Sequence, residues 1–385
     1  MPFAASISTH PDPRVAVGEV AGDLLERLGE PPDVAVAVID SAHLAAFGAI
    51  SDALRTVLRP GSFIAVTSAT PIGGTREAEA APAISLWAAL VDDITPALLR
   101  TRRVSPSEMV IDGLGDIDLG HSSAMVLFAD PFSFPADAFV TDLHRRRPEL
   151  LVVGGLLSGA PGPGGNRLRV DDEEVSGGAV ALVVGDAATA PSVTPVVSQG
   201  CVPIGDPMVV TAADGRSLLE LAGRPALDRL EDTLAELDDE AAMHARRGLH
   251  IGVVVDETQL EFATGDFVIR AVTGVDRGSR SVQIGEQVEV GTTVQFQVRS
   301  ADAATQDLWN RLLRTGGDGA LLFTCTGRGE RLFGVPDHDA GAVVDRLGTD
   351  AVAGMSCAGE IGPVGGVTRL HGFTASIAVF TDPQH

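Results

Sequence analysis

Three stretches of the chain repeat one order of apolar and polar positions. Residues 34–39 (VAVAVI) form an unbroken apolar run, the pattern of a strand buried on both faces. Residues 43–58 then place Leu44, Phe47, Ile50, Leu54 and Leu58 on one face at helical spacing. A second apolar run, 62–68, enters a loop at Pro71-Ile72-Gly73-Gly74, and a third strand follows at 83–90. The order returns as strand 124–129, helix 135–146 (with Phe139 and Leu143 inward), strand 150–154, a Gly/Pro loop and strand 178–184. It returns again as strand 320–325, helix 338–347, strand 352–357, the glycine loop 358–366 and strand 372–380.

Each unit therefore reads strand, helix, strand, glycine loop, strand. A right-handed crossover makes the first two strands parallel neighbours. The third is expected to return antiparallel beside the second. The fold class is α/β: mixed sheets, built largely from β-α-β-β repeats and flanked by helices. The middle of the chain breaks the pattern, with helices expected at 215–222 and 225–237, strands at 250–255, 266–273, 281–284 and 292–299, and helix 301–314. An Ala/Pro/Thr/Ser-rich stretch near 187–198 marks a boundary. The expected division is a lead segment, 1–32, an N-terminal domain, 33–198, and a C-terminal domain, 199–385.

Composition removes several chemistries. The formal charge is −24, and all 28 basic residues are Arg, since the chain has no Lys. A Schiff-base lysine, a Walker A lysine and the strand lysine of protein kinases are therefore all excluded. Net negative charge argues against nucleic acid as a partner. The longest apolar runs, 150–157 and 179–184, are too short for a bilayer, so no membrane association is expected. Three cysteines, an odd number in a long chain, suit a reducing compartment, and a cytoplasmic protein is expected.

Several motifs then resemble one family. They are Gln199-Gly200-Cys201-Val202-Pro203-Ile204-Gly205, Gly265-Asp266-Phe267-Val268-Ile269-Arg270, Thr326-Gly327-Arg328-Gly329, Glu360-Ile361-Gly362-Pro363-Val364-Gly365-Gly366 and Leu370-His371-Gly372-Phe373-Thr374. Val153-Gly154-Gly155-Leu156 adds to them. In this order they resemble the FIST family, with paired N-terminal and C-terminal FIST domains. Thr326 stands where that family commonly has Asn. The resemblance implies a sensory, signal-transducing protein that binds a small ligand, such as an amino acid, and reports it to a downstream signalling protein. It also raises an alternative, a haem-binding nitric oxide sensor, since some members bind haem.

Ligands of open α/β sheets sit beyond the carboxyl ends of parallel strands. If strands 320–325 and 352–357 are neighbours, two segments converge there. One is Cys325, Thr326, Gly327, Arg328 and Gly329; the other is Cys357, Gly359, Glu360, Ile361 and Gly362, with His371 beside them. The Arg328 guanidinium suits a carboxylate, and Glu360 suits an ammonium group. Alternatively the two pair with each other. Arg270 and Arg299, at the ends of middle strands, are weaker ligand candidates, read rather as domain-pairing or surface salt-bridging groups. Cys325 and Cys357 lack the spacing of a metal site, so no metal is expected. They are small buried hydrophobes or, if Arg328 lowers a thiol, a nucleophile. His371 either hydrogen bonds a loop carbonyl or ligates haem. Ser158 lacks a nucleophile elbow, and no catalytic constellation emerges. The expectation is a binding protein rather than an enzyme, without a cofactor, with a cysteine-dependent enzyme as the alternative. Oligomeric state is left open.

Overall fold

The computed structural model describes residues 2–105, 108–117, 119–259, 261–262 and 265–382. Each repeat is built on a four-stranded core, one strand more than its sequence pattern suggests. The first has β1 (Phe3–Ser8), β2 (Val34–Asp40), β3 (Ser62–Ser68) and β4 (Ile84–Ala89), hydrogen bonded in the order β1-β4-β2-β3. The second has β5 (Ile94–Ser105), β6 (Ala124–Ala129), β7 (Leu151–Leu157) and β8 (Ala179–Val184), in the order β5-β8-β6-β7. The third opens with β9 (Ser192–Gln199). An insert follows, which contains β10 (Leu249–Val254), β11 (Phe267–Asp276) and β12 (Thr293–Arg299). The repeat then resumes with β13 (Gly319–Cys325), β14 (Val352–Val364), the hairpin strand β15 (Val367–His371) and β16 (Thr374–Thr381), in the order β9-β16-β13-β14.

The parallel pairs β2–β3, β6–β7 and β13–β14 are those the crossover rule demands. The third strand of each unit departs from expectation. It returns antiparallel beside the first strand, not the second. The free edge of the second strand is occupied from elsewhere. β3 takes strand Leu168–Val170, and β7 takes β14, as in Gly154 opposite Ile361. The second and third units thereby share one 12-stranded sheet that crosses the sequence division at 198/199.

Helices cover the outer faces. Residues 1–32 supply β1 and α1 (Pro13–Leu28), which the Asp12 side chain caps and Gly29 (φ 79°) ends. α1 and α2 (Phe47–Leu58) press Val20, Leu24, Phe47, Ile50 and Leu54 onto the first sheet. On the other side, α3 (Ala136–Arg146) covers the second unit. Between the two sheets lie Phe3, Trp87 and Phe380, with the Trp87 and Phe380 centroids 4.9 Å apart. The result is four layers, helix–sheet–sheet–helix. Strands buried on both faces explain the unbroken apolar runs. Truncating such an aromatic costs about 3–5 kcal/mol.

The insert has an eight-stranded sheet of its own, with helices α4 (Ala226–Ala235) and α5 (Asp239–Arg247). Residues 215–222, expected as a helix, contain strand Ser217–Leu221 instead. Gly215 and Gly223 take positive φ at its two ends, so the segment turns sharply on both sides. From the insert the chain enters α6 (Ala301–Leu312), which with α7 (Glu330–Phe333) and α8 (His338–Leu347) completes the third unit. Among the described residues, no helix is long and apolar enough to cross a membrane.

Candidate functional site

β13 and β14 are in parallel register through Cys325 and Cys357, so their carboxyl ends lie side by side. A cavity of about 970 Å³ opens there. The third unit contributes Cys325, Thr326, Gly327, Ala358 and the 370–373 turn, the insert contributes Arg299 and Arg270, and α3 contributes Asp137. Three parts of the fold thus meet around one space.

Arg299 is the cation set into the wall. It ends β12, just before Ser300, whose hydroxyl accepts from the Ala303 N–H at the start of α6. Its Nη2 donates to the Gly327 carbonyl at 2.5 Å, and its guanidinium lies 5.0 Å from the Phe373 ring centroid. Among the described residues no carboxylate lies within ion-pair distance of it. Burial pushes its pKa down, and the neighbouring Arg328 and Arg331 push the same way. Phe373 holds φ 65°, a strained value for a non-glycine residue. Its ring packs against His250, centroids 4.2 Å apart, as well as against Arg299.

Arg270, by contrast, pairs with Glu286 and donates to the Leu370 carbonyl at 3.2 Å, tying the insert to β15. Asp137, in the first turn of α3, has no ion-pair partner among the described residues, and burial raises its pKa. Of the roles read for the two arginines, Arg270 forms a salt bridge, and both tie the insert to the third unit, Arg299 through the Gly327 carbonyl.

Of the expected site residues, Cys325, Thr326, Gly327 and His371 line the cavity. Arg328 does not. Its guanidinium is fully buried against Asp339, with Nη2 2.9 Å from Oδ1. His338 Nδ1 lies 2.9 Å from the same oxygen, and Phe333 stacks on His338 at 3.5 Å. Glu77, from the first unit, accepts the Asp339 and Ala340 N–H groups at 2.8 and 3.0 Å and so caps α8. Gly329 has φ 68°, and a Cβ there would meet Glu79 Oε1 at 2.4 Å. The Gly-Arg-Gly turn is therefore an anchor that fixes Gly327 beneath Arg299.

Glu360 is also buried and does not face the cavity. Its Oε2 accepts from the Thr374 N–H at 3.1 Å and hydroxyl at 2.8 Å. Burial pushes its pKa up to about 8. It does not pair with Arg328, whose partner is Asp339. The expected loop 358–366 is instead a continuation of β14 to Val364, closed by a turn at Gly365–Gly366. Gly359, Ile361 and Gly362 sit inside that strand, and a Cβ at Gly362 would meet Val197 Cγ2 at 2.5 Å.

The thiols are not activated. Burial raises Cys325 to about 11 and Cys201 to about 12, and holds Cys357 well above the ordinary thiol value. Desolvation outweighs the nearby arginines, the reverse of what a nucleophile requires. His371 Nε2 lies 2.9 Å from the Gly362 carbonyl, and burial pushes its pKa down to about 4. Nε2 thus takes the loop-carbonyl role, while Nδ1 is buried without a hydrogen-bond partner among the described residues. Among the described residues no cluster of three His, Cys, Asp or Glu could hold a metal ion.

Residues 33–224 match the FIST N domain, and residues 226–363 match the FIST C domain. An uncharacterized protein of Mycobacterium tuberculosis is 39% identical over 389 residues, covering 99% of this chain and 100% of the relative. An uncharacterized protein of Mycobacterium bovis is 38% identical over 395 residues, covering 99% of each.

Proposed function

The chain belongs to the FIST family, and from that premise we propose that it senses a small carboxylate-bearing ligand, an amino acid among the candidates, in the cavity beyond β13 and β14. FIST domains are small-ligand sensory and signal-transduction domains. The observation that carries the reading is Arg299. A desolvated guanidinium without a carboxylate partner is costly, and an entering carboxylate removes that cost. Its planar fork suits two carboxylate oxygens. Asp137, likewise without an ion-pair partner among the described residues and in the same cavity wall, offers an acceptor for an ammonium group, which an amino acid carries.

A ligand held between Arg299 and Asp137 ties the insert to the layered sheets. That provides a signal, because the chain enters and leaves the insert at one place, where the Ser300 N–H donates to the Gly200 carbonyl, and a ligand adds to the side-chain ties across the same junction. A partner protein that recognises the closed arrangement would carry the message onward. Catalysis is not part of this reading, since the thiols at the site are held protonated. Thermal unfolding of wild type and Arg299→Ala with amino acids and simple carboxylates tests it. Stabilisation confined to the wild type supports the reading, and equal stabilisation of both refutes it.

A further inference from the structure

The cavity holds more positive charge than one carboxylate can use, and we propose that its ligand carries a second anionic group, a phosphate or a second carboxylate, bound at the rim by Arg331, Arg216 and Arg247. The inference rests on Arg299 as the anchor of the first.

The chain has 52 acidic and 28 basic residues, yet its main cavity reverses that balance. Five arginines line it, at 216, 247, 270, 299 and 331, against the carboxylates of Asp137 and Glu286. Glu286 is occupied by Arg270. Arg216, Arg247, Arg299 and Arg331 have no carboxylate within ion-pair distance among the described residues. Arg299 is half-buried; the other three are exposed. Arg331 lies close enough to Arg299 to depress its pKa. Like charges gathered in a concave wall focus positive potential, and they are tolerated because the rim is wet. A single carboxylate at Arg299 leaves that potential uncompensated.

Size points the same way. About 970 Å³ is at the upper end of cavities that enclose drug-sized ligands. A small amino acid would leave most of it to water. Ile269, Leu332 and Phe373 supply an apolar stretch of wall among the charged groups. The ligand that matches is an anionic head, a short body and a second anionic end.

Serine and O-phosphoserine, which share one head and differ in the second group, test this directly, with glutamate as the dicarboxylate. Calorimetric titrations would use wild type, Arg299→Ala and the rim double variant Arg247→Ala/Arg331→Ala. We expect phosphoserine or glutamate to bind wild type at least about tenfold tighter than serine, about 1.4 kcal/mol. The rim variant should lose that advantage while keeping its affinity for serine. Because the rim is exposed, added salt should erode the same advantage. A preference that survives in the rim variant overturns the proposal, as does no preference in wild type. If serine binds and Arg299→Ala abolishes it while dianions do no better, only the second group falls. If none of the three binds wild type, both readings fall.

Discussion

Arg328 and Asp339 face each other with both side chains fully out of solvent, Nη2 2.9 Å from Oδ1. The pair fixes the turn that carries Gly327, and Gly327 positions Arg299 at the cavity. Burial alone would push Asp339 up, but the Arg328 guanidinium outweighs it and holds the carboxyl at about 2. Asp339→Ala leaves a buried guanidinium without its counterion, and should cost about 3–5 kcal/mol of stability. The paired change Arg328→Met/Asp339→Leu should recover much of that loss. Urea unfolding midpoints check both, and a single variant within about 1 kcal/mol of wild type would contradict the pairing.

Glu360 makes stability depend on pH. Its folded pKa of about 8 exceeds the ordinary 4.5, because burial disfavours the charge. Between those values the folded state keeps a proton that the unfolded state releases, so stability falls as pH rises from about 4.5 to about 8 and then levels. Glu77, raised to about 7 by burial and by the Asp339 charge, acts in the same direction. Glu360→Gln should flatten the slope and gain most, relative to wild type, near the alkaline end. Thermal midpoints across that range decide it, and parallel curves for the two proteins would be evidence against a buried, protonated Glu360.

Cysteine labelling should separate the three thiols by access and by pH. Cys325 is half-buried in the cavity wall, whereas Cys201 and Cys357 are buried. With its pKa near 11, Cys325 should react first with an alkylating reagent, but slowly at neutral pH and faster as pH rises. Mass spectrometry of timed samples reads the order. Rapid labelling of any one cysteine at pH 7 would instead favour a thiolate enzyme.

Much of the fold was legible because the strands are buried on both faces. Runs such as VAVAVI in β2 and AMVLFA in β6 announce themselves, and the crossover rule pairs them. Which edge the third strand would join was not legible. It depends on the remote pairing of β7 with β14, and no local pattern records that. The position of the cavity was legible from β13 and β14; that Arg299 rather than Arg328 lines its wall was not. Glycines on both sides of Arg328 suggested close approach of a ligand, but they accommodate Arg299 and Glu79 instead. Asp339, the partner that turns Arg328 inward, lies on α8, beyond the short helix α7. Arg299 carried one usable signal: it is the last residue of an alternating strand, immediately before the Ser300 cap.

Arg299 is the proposed anchor of the ligand. The most direct test of that role is a calorimetric titration of wild type, Arg299→Ala and the surface control Arg14→Ala with whichever carboxylate most stabilises the wild type. Arg14 is 91% exposed and lies outside the cavity. One site per chain in wild type and Arg14→Ala, with affinity at least about tenfold weaker in Arg299→Ala, is the expected result. Equal affinity in all three proteins would place the ligand elsewhere and contradict the account.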